Sequence, residues 1–387
     1  MNVRAIALLV ISHTATDVSQ GAIPVLLPFF IAEHHISYAA AATVVFASNL
    51  VSTVAQPIFG HIADRRSIPW LLPVAMLCGG LGVSLTGVVP SFELGVAVVG
   101  LSGLGVAAFH PEGARFINYL AGERKATAMS FFAIGGQLGY ALGPMLAAAA
   151  LLLWGLKGSL SLFFFPAVVA ALLVRSLPRD AAGPRQKRAS QGAQAGSTGQ
   201  DAWGAFTLLS LALLSRSVIF YGLNTFIPLF WIDVLHQSKG AGATALTVFM
   251  TSSICGNLLG GRMADRFGYR GVAITGFIGL MVFVPLFALA GSATQAVLLL
   301  IPAGFALAVP TSPMVVLGQG YLPNRLGFAS GVTLGLAFSF GGITTPLLGW
   351  VADHHGLHAA IWVVACMPIL CLALALTLPK LKTASAH

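Results

Sequence analysis

The sequence predicts an all-α membrane protein of twelve transmembrane helices in two six-helix halves, and three observations predict it: composition, recurring apolar runs, and a charged phrase written twice. Apolar residues make up 57% of the 387-residue chain, charged residues 8%, and mean hydropathy is +0.88. A globular domain averages about 25% charged, so most of this surface faces lipid. An apolar segment of ~20 residues crosses a hydrocarbon core of ~30 Å, and such segments recur along the whole length. Lipid admits helices or closed barrels, and runs this continuously apolar exclude the alternating strands of a barrel. The phrase Gly60-His61-Ile62-Ala63-Asp64-Arg65 returns as Gly261-Arg262-Met263-Ala264-Asp265-Arg266, with Asp64 and Asp265 separated by 201 residues. The chain therefore reads as two copies of one unit.

The expected spans lie near residues 5–32, 39–62, 69–89, 93–118, 126–152, 159–177, 204–232, 241–261, 271–290, 294–319, 327–350 and 358–378. The first begins close to the N-terminus, carries His13, Asp17, Pro24 and Pro28, and lacks a small-residue cleavage pattern; it is read as a span and not a removed signal peptide. The second ends in the charged phrase. The fourth contains Phe109-His110-Pro111-Glu112 and Arg115, and the fifth contains Gly135-Gly136-Gln137-Leu138-Gly139 and Gly143-Pro144. Residues 178–203, basic and then rich in Gln, Gly, Ser and Ala, break the pattern as a linker between halves 1–177 and 204–387. In the second half Pro228, Pro313 and Pro346 answer Pro28, Pro111 and Pro144 at nearly the same offset. Cys78, Cys255, Cys366 and Cys371 fall inside spans without metal-like spacing and read as small buried hydrophobes.

Charge sets the orientation. With both termini cytoplasmic, sixteen of the twenty Lys and Arg lie on the cytoplasmic side, Lys157 and Lys239 lie outside, and Arg115 and Arg216 lie within spans. The net charge of +9 thus reflects topology and anionic lipid, not nucleic-acid binding. No phosphate loop, metal triad or nucleophile–base pair is present, which argues against an enzyme and makes an ion gradient the energy source, with no cofactor or metal.

The repeated phrase places Asp64 and Asp265 at helix ends among Arg65, Arg266 and Arg270, where carboxylate–guanidinium contacts can form a latch. Gly60 and Gly261 would let two helices approach closely there. Mere anchoring at the interface is the alternative. The first copy departs from the second after Arg65, where Ser67, Ile68 and Pro69 stand.

Ionisable residues at membrane depth cost ~2.5 to 3.5 kcal/mol each and so mark function. His13, Asp17, Gln20 and Pro24 share one stripe of the first span, by their spacing. Pro111 removes a hydrogen bond to Ala107 and should kink the fourth span. Glu112 and Arg115, three apart, are either an ion pair that neutralises two costly charges or part of a proton or substrate site. The seventh span carries Arg216, Tyr221 and Asn224. Asp17, Glu112 and His110 are the expected proton-coupling residues; Arg115, Arg216, His13, Gln20, Gln137, Tyr221 and Asn224 are expected to contact substrate. Asp17 could pair with Arg216 in a contact that is made and lost during transport.

Two six-helix halves with a Gly-x-x-x-Asp-Arg loop after the second helix of each resemble the major facilitator superfamily, over the whole chain. The resemblance implies a monomer working by alternating access, with the repeated loops controlling opening toward the cytoplasm and the first and seventh helices facing each other. The glycines and proline of the fifth span resemble the antiporter signature of that superfamily, although Val99 stands where drug exporters often carry arginine. The His13–Asp17 pair, the Phe-His-Pro-Glu phrase and the fifth span together resemble the fosmidomycin resistance protein family. That likeness implies a proton-driven efflux pump of the bacterial inner membrane for a small phosphonate, with His110, Arg115 and Arg216 suited to an anionic group. Proton symport of a sugar or organic acid is the alternative; a sensor or scaffold would need a signalling domain that these residues do not encode.

Overall fold

The computed structural model describes residues 3–65, 68–120, 125–176, 200–325, 328–329, 332–333 and 337–379, and among these no strand occurs. The first helices are α1 (Val3–His34), α2 (Tyr38–Arg65), α3 (Leu71–Thr86), α4 (Phe92–Leu120) and α5 (Lys125–Trp154), followed by a 3-10 stretch (Gly155–Phe163) and α6 (Phe164–Ser176). Next come α7 (Trp203–Asp233), α8 (Lys239–Phe267), α9 (Tyr269–Ala288), α10 (Ala293–Ala308), α11 (Thr311–Tyr321), α12 (Ala337–Ile343) and α13 (Thr345–Thr377). Nine described segments are long and apolar enough to cross a membrane. Two of them, Phe131–Ser176 with 46 residues and Phe340–Thr377 with 38, exceed one crossing. Each is interrupted where a glycine takes positive φ, Gly155 at 60° and Gly356 at 83°. A side chain with a Cβ would be strained at either turn.

The expected tenth span is not one helix. It divides at Val309 and Pro310 into α10 and α11, because Pro310 has no N–H to offer the carbonyl four residues back and its ring crowds that turn. Pro111, by contrast, lies inside α4 without ending it. The cysteines also differ from expectation: Cys371 is buried, but Cys255 and Cys366 are exposed on their helices.

By packing, the chain divides into two compact units that cut across the sequence halves. The first comprises Met1–Pro184, Asn224–Thr251 and Gly342–Ala360; the second comprises Arg185–Leu223, Ser252–Gly341 and Ile361–His387. Within the first, α1 is buried without interruption from Ser12 to Phe30, as befits a helix enclosed on every side. It packs on α5, α4, α6 and α3. The α5 contact is backbone to backbone: a Cβ at Gly139 would stand 2.6 Å from the Thr14 carbonyl oxygen and 2.7 Å from Asp17 Cβ. Small residues permit such close approach, which replaces the missing hydrophobic drive between helices in lipid.

The first unit also contains a contact that sequence spacing did not suggest. The start of α13 runs against the start of α2, with Gly349 on Ala39 and the Thr345 hydroxyl donating to the Ala42 carbonyl at 3.4 Å. At its end the Asp353 carboxylate accepts the Tyr38 N–H at 2.7 Å and the Ala39 N–H at 2.9 Å, while the Tyr38 hydroxyl donates to Asp233 at 3.0 Å. The first N–H groups of a helix have no partner within it, so Asp353 caps α2 from another helix. Asp353→Ala is expected to cost about 1 kcal/mol, the size of a lost N-cap, read as a lower unfolding temperature in detergent. An unchanged temperature would show that the cap contributes nothing.

Candidate functional site

The titratable residues of α1 and α4 meet inside the first unit. His13 and Asp17 lie four apart on α1, and the 3.6-residue period puts both on the face toward α4 and α5. His13 Nε2 stands 3.2 Å from Asp17 Oδ2, and His110 Nε2 of α4 stands 3.2 Å from Asp17 Oδ1. Asp17 is 4% exposed and His13 8%, so the carboxylate depends on these imidazoles for compensation. The ligating atoms of the three side chains all lie within 4.8 Å of one another, close enough to share one small cation.

Aromatic rings and α5 enclose this cluster. The Phe132 ring stacks on His13 at 4.0 Å between centroids, and Phe109 lies 5.8 Å away. From α5, the Phe132 carbonyl sits 2.7 Å from His13 Nδ1, and the Gly135 carbonyl accepts the Thr14 hydroxyl at 2.9 Å. Gly136 faces the pair itself, since a Cβ there would stand 2.7 Å from both His13 Nε2 and Asp17 Oδ2. The glycine-rich phrase of the fifth span is therefore one wall of the titratable site. Sequence showed the glycines and not what they touch.

One residue past Pro111 a second charged group points elsewhere. Glu112 is fully buried and takes the Arg115 guanidinium at 3.0 Å from Nε and 2.6 Å from Nη2, together with the Ile68 N–H at 3.1 Å. Both carboxylate oxygens are thus engaged, and the loop between α2 and α3 is held against α4. His110 and Glu112, neighbours across a proline, serve separate partners.

The other expected site residues divide by what they bond. Gln20 is used within the fold, its amide donating to Ser48 at 3.1 Å and to Ser102 at 3.0 Å; neither serine stood out in the sequence, where isolated serines in apolar helices are common. Among the described residues Gln137 Oε1 and Asn224 Oδ1 are buried with no hydrogen-bond partner, as is Thr225 Oγ1 beside Asn224. Buried polar atoms are nearly always satisfied, so unused capacity of this kind points to a ligand or water. Tyr221 is buried and stands edge-on to Phe220 at 5.1 Å.

Arg216 belongs to the second unit. Its Nη1 donates to the Leu307 carbonyl at 3.2 Å, at the end of α10 where Pro310 interrupts the helix, and its Nε has no partner among the described residues. Among the described residues no carboxylate forms an ion pair with it. Asp17, which could pair with Arg216 in a contact made and lost during transport, bonds here to His110 within the first unit, and Arg216 bonds within the second.

The loop residues depart from the expected latch in two respects. Asp265 accepts the Tyr269 hydroxyl at 3.2 Å in place of an arginine, and Arg270 donates to the Leu376 carbonyl at 2.5 Å. Gly268, with φ at 89°, makes the turn between α8 and α9. Arg266 lies over the Phe267 ring at 5.3 Å. Neither glycine of the phrase is a point of close approach: nothing described lies within 4 Å of a Cβ at Gly60, and the nearest atom to one at Gly261 is 3.9 Å away. The neighbouring Gly260 packs on Val309 instead. The side chains of Asp64 and Arg65 lie outside the described residues.

Comparison with known proteins places the whole chain. The model of the Major Facilitator Superfamily matches residues 9–333 and, again, 209–386. An uncharacterized MFS-type transporter, YfnC of Bacillus subtilis (strain 168), is 30% identical over 372 residues, covering 93% of this chain and 89% of that protein. The fosmidomycin resistance protein of Escherichia coli (strain K12) is 27% identical over 365 residues, with the same 93% and 89% coverage. Among solved structures, a bacterial homolog to the human lysosomal transporter Spinster, in an inward-facing and occupied conformation, superposes with a TM-score of 0.81 at 16% identity, covering 96% of this chain and 95% of that one.

Proposed function

The chain belongs to the major facilitator superfamily, a multi-pass membrane transporter and not an enzyme, and from that premise we propose that it is a proton-coupled antiporter that exports a small anionic drug or metabolite. The observation that carries the reading is the buried His13–Asp17–His110 cluster. A carboxylate enclosed at membrane depth with two imidazoles is a place where a proton is bound and released. Export is supported by the similarity to the fosmidomycin resistance protein. An anionic substrate is supported by Arg216, a buried guanidinium with an unused Nε and no carboxylate partner among the described residues. Gln137 and Asn224 are the proposed neutral contacts. The protein works in the bacterial inner membrane as a monomer with both termini cytoplasmic, driven by the proton gradient with no cofactor, and its partners are substrate, protons and lipid, not nucleic acid.

Fosmidomycin is the first probe. In everted vesicles made acid inside, adding it is expected to dissipate the proton gradient as drug enters and protons leave. No dissipation with any anionic compound of a panel would reject antiport. Proton symport of an organic acid is the second reading, because a buried carboxylate and a buried guanidinium would equally serve a proton and an anion moving in one direction; substrate-driven acidification of intact cells' cytoplasm would select it. Arg216→Leu is expected to raise the half-saturating anion concentration about tenfold to a hundredfold, the worth of a hydrogen bond to a charged group. An unchanged value would remove Arg216 from the substrate site.

A further inference from the structure

We infer that His13, Asp17 and His110 form a binding site for one divalent first-row transition-metal ion, such as Zn²⁺ or Co²⁺, held by the two Nε2 atoms and the Asp17 carboxylate. The site goes beyond the transport reading above and does not rest on it. Spacing along the sequence does not reveal it, because His110 lies 93 residues from Asp17 on another helix.

The geometry is that of a ligand set. An ion bound by nitrogen and oxygen at about 2.1 Å puts neighbouring ligand atoms about 3.2 to 3.4 Å apart. His13 Nε2 and His110 Nε2 each stand 3.2 Å from an Asp17 oxygen, and one ligand atom from each of the three side chains falls within 4.8 Å of the others. The two imidazole rings stand nearly edge to face, with 5.0 Å between centroids. Both nitrogens thus converge on one carboxylate, His13 from α1 and His110 from α4.

The surroundings fit an ion as well. A backbone carbonyl only accepts, so the 2.7 Å contact of the Phe132 carbonyl with His13 Nδ1 puts a hydrogen on that nitrogen. In the neutral ring Nε2 then offers a lone pair, the arrangement of a metal-bound histidine whose other nitrogen donates to an outer partner. Phe132 stacks on the same ring at 4.0 Å and holds its plane. Gly136 leaves space at the edge between two of the ligands, because a Cβ there would stand 2.7 Å from both His13 Nε2 and Asp17 Oδ2. Access is on the side of His110, whose side chain is 27% exposed against 6% for Asp17.

The donor set selects the ion. Two imidazoles disfavour Mg²⁺ and Ca²⁺, which take oxygen ligands, and a single carboxylate without a thiolate suits Zn²⁺, Co²⁺ or Ni²⁺. A divalent ion exceeds the charge of the one carboxylate, so the occupied site is cationic. Its fourth position, toward the exposed side of His110, is open to water or an anionic oxygen. On α4 the next charges, Glu112 and Arg115, are closed on each other and add nothing to the set.

The test uses the purified full-length chain in detergent, free of any affinity tag, with Zn²⁺ and Co²⁺ as probes. After equal dialysis wild type is expected to retain one Zn²⁺ per chain more than Asp17→Asn or His110→Gln. Affinity in those variants should fall at least about a hundredfold, since an outer partner alone is worth about tenfold to a hundredfold. Zn²⁺ should also raise the unfolding temperature of wild type and leave that of Asp17→Asn unmoved, so each protein is compared with itself. Equal uptake by wild type and both variants would mean an adventitious ion only and overturn the inference. Bound Co²⁺ should absorb in the visible; a strong near-ultraviolet sulfur band would place it on thiols such as the exposed Cys255 and Cys366 and overturn the inference too. Gly136→Ala keeps all three ligands and fills the space beside them, so it should weaken binding about tenfold or more. Gly143→Ala is the control, because its Cβ would meet Val18, Gly21 and Ala22 in the same helix pair. Unchanged binding in Gly136→Ala, or an equal loss in the two variants, would reject the site at that edge. Failure of substrate to move protons in vesicles would reject the transport reading and leave these results standing.

Discussion

Asp17→Asn is expected to reduce substrate-driven proton movement to background while the protein still inserts and folds. The asparagine is nearly isosteric and suits the site without a proton. Its amide N–H can donate to the His13 Nε2 lone pair, and its carbonyl can accept from His110 Nε2, reproducing the two 3.2 Å contacts of the carboxylate. The variant cluster is neutral in every conformation, so it gains nothing by binding or losing a proton. Loss of coupling would then report the proton and not a collapsed site. The measurement is dissipation of the gradient in everted vesicles on adding substrate, beside substrate binding to the purified variant. Wild-type dissipation in Asp17→Asn would remove the cluster from the coupling mechanism.

Removing Glu112 is expected to have the largest effect on stability. Glu112→Ala leaves the Arg115 guanidinium and the Ile68 N–H without the carboxylate they share. Breaking a buried ion pair from one side costs about 3 to 5 kcal/mol. The lower end applies here, because the Arg115 side chain is 30% exposed and can turn toward water. The loss should appear as a clearly lower unfolding temperature in detergent. Replacing both residues with leucine discriminates the roles, since an apolar pair of similar volume often restores stability. A stable double variant that no longer transports would place the pair in the coupling machinery through its hold on the α2–α3 loop. A stable double variant with normal transport would make the pair structural only.

Much of the site was legible one helix at a time. The spacing of His13 and Asp17 predicts a shared face, and they are in contact. The spacing of Glu112 and Arg115 allows either an ion pair or part of a proton or substrate site, and the two side chains do form an ion pair. Partners on other helices were not legible. Gln20 is taken by Ser48 and Ser102, Asp265 by Tyr269, and the start of α2 by Asp353, 315 residues away from Tyr38. The proline series suggested symmetry, yet Pro111 leaves α4 continuous while Pro310, outside that series, divides α10 from α11. Local backbone context decides whether a helix absorbs a proline or ends at it.

The sequence by itself determined the class of the protein and the ionisable residues that its apolar helices carry. Water-to-lipid transfer and helix periodicity act on composition and spacing, which a sequence contains in full. Only the tertiary structure decided which of those residues act together. That depends on how each helix is turned and on where glycines allow two backbones to close, as α5 closes on α1 around His13 and Asp17. The Phe132 carbonyl that meets His13 is a group every residue but none in particular supplies, and so its contact arises from position alone.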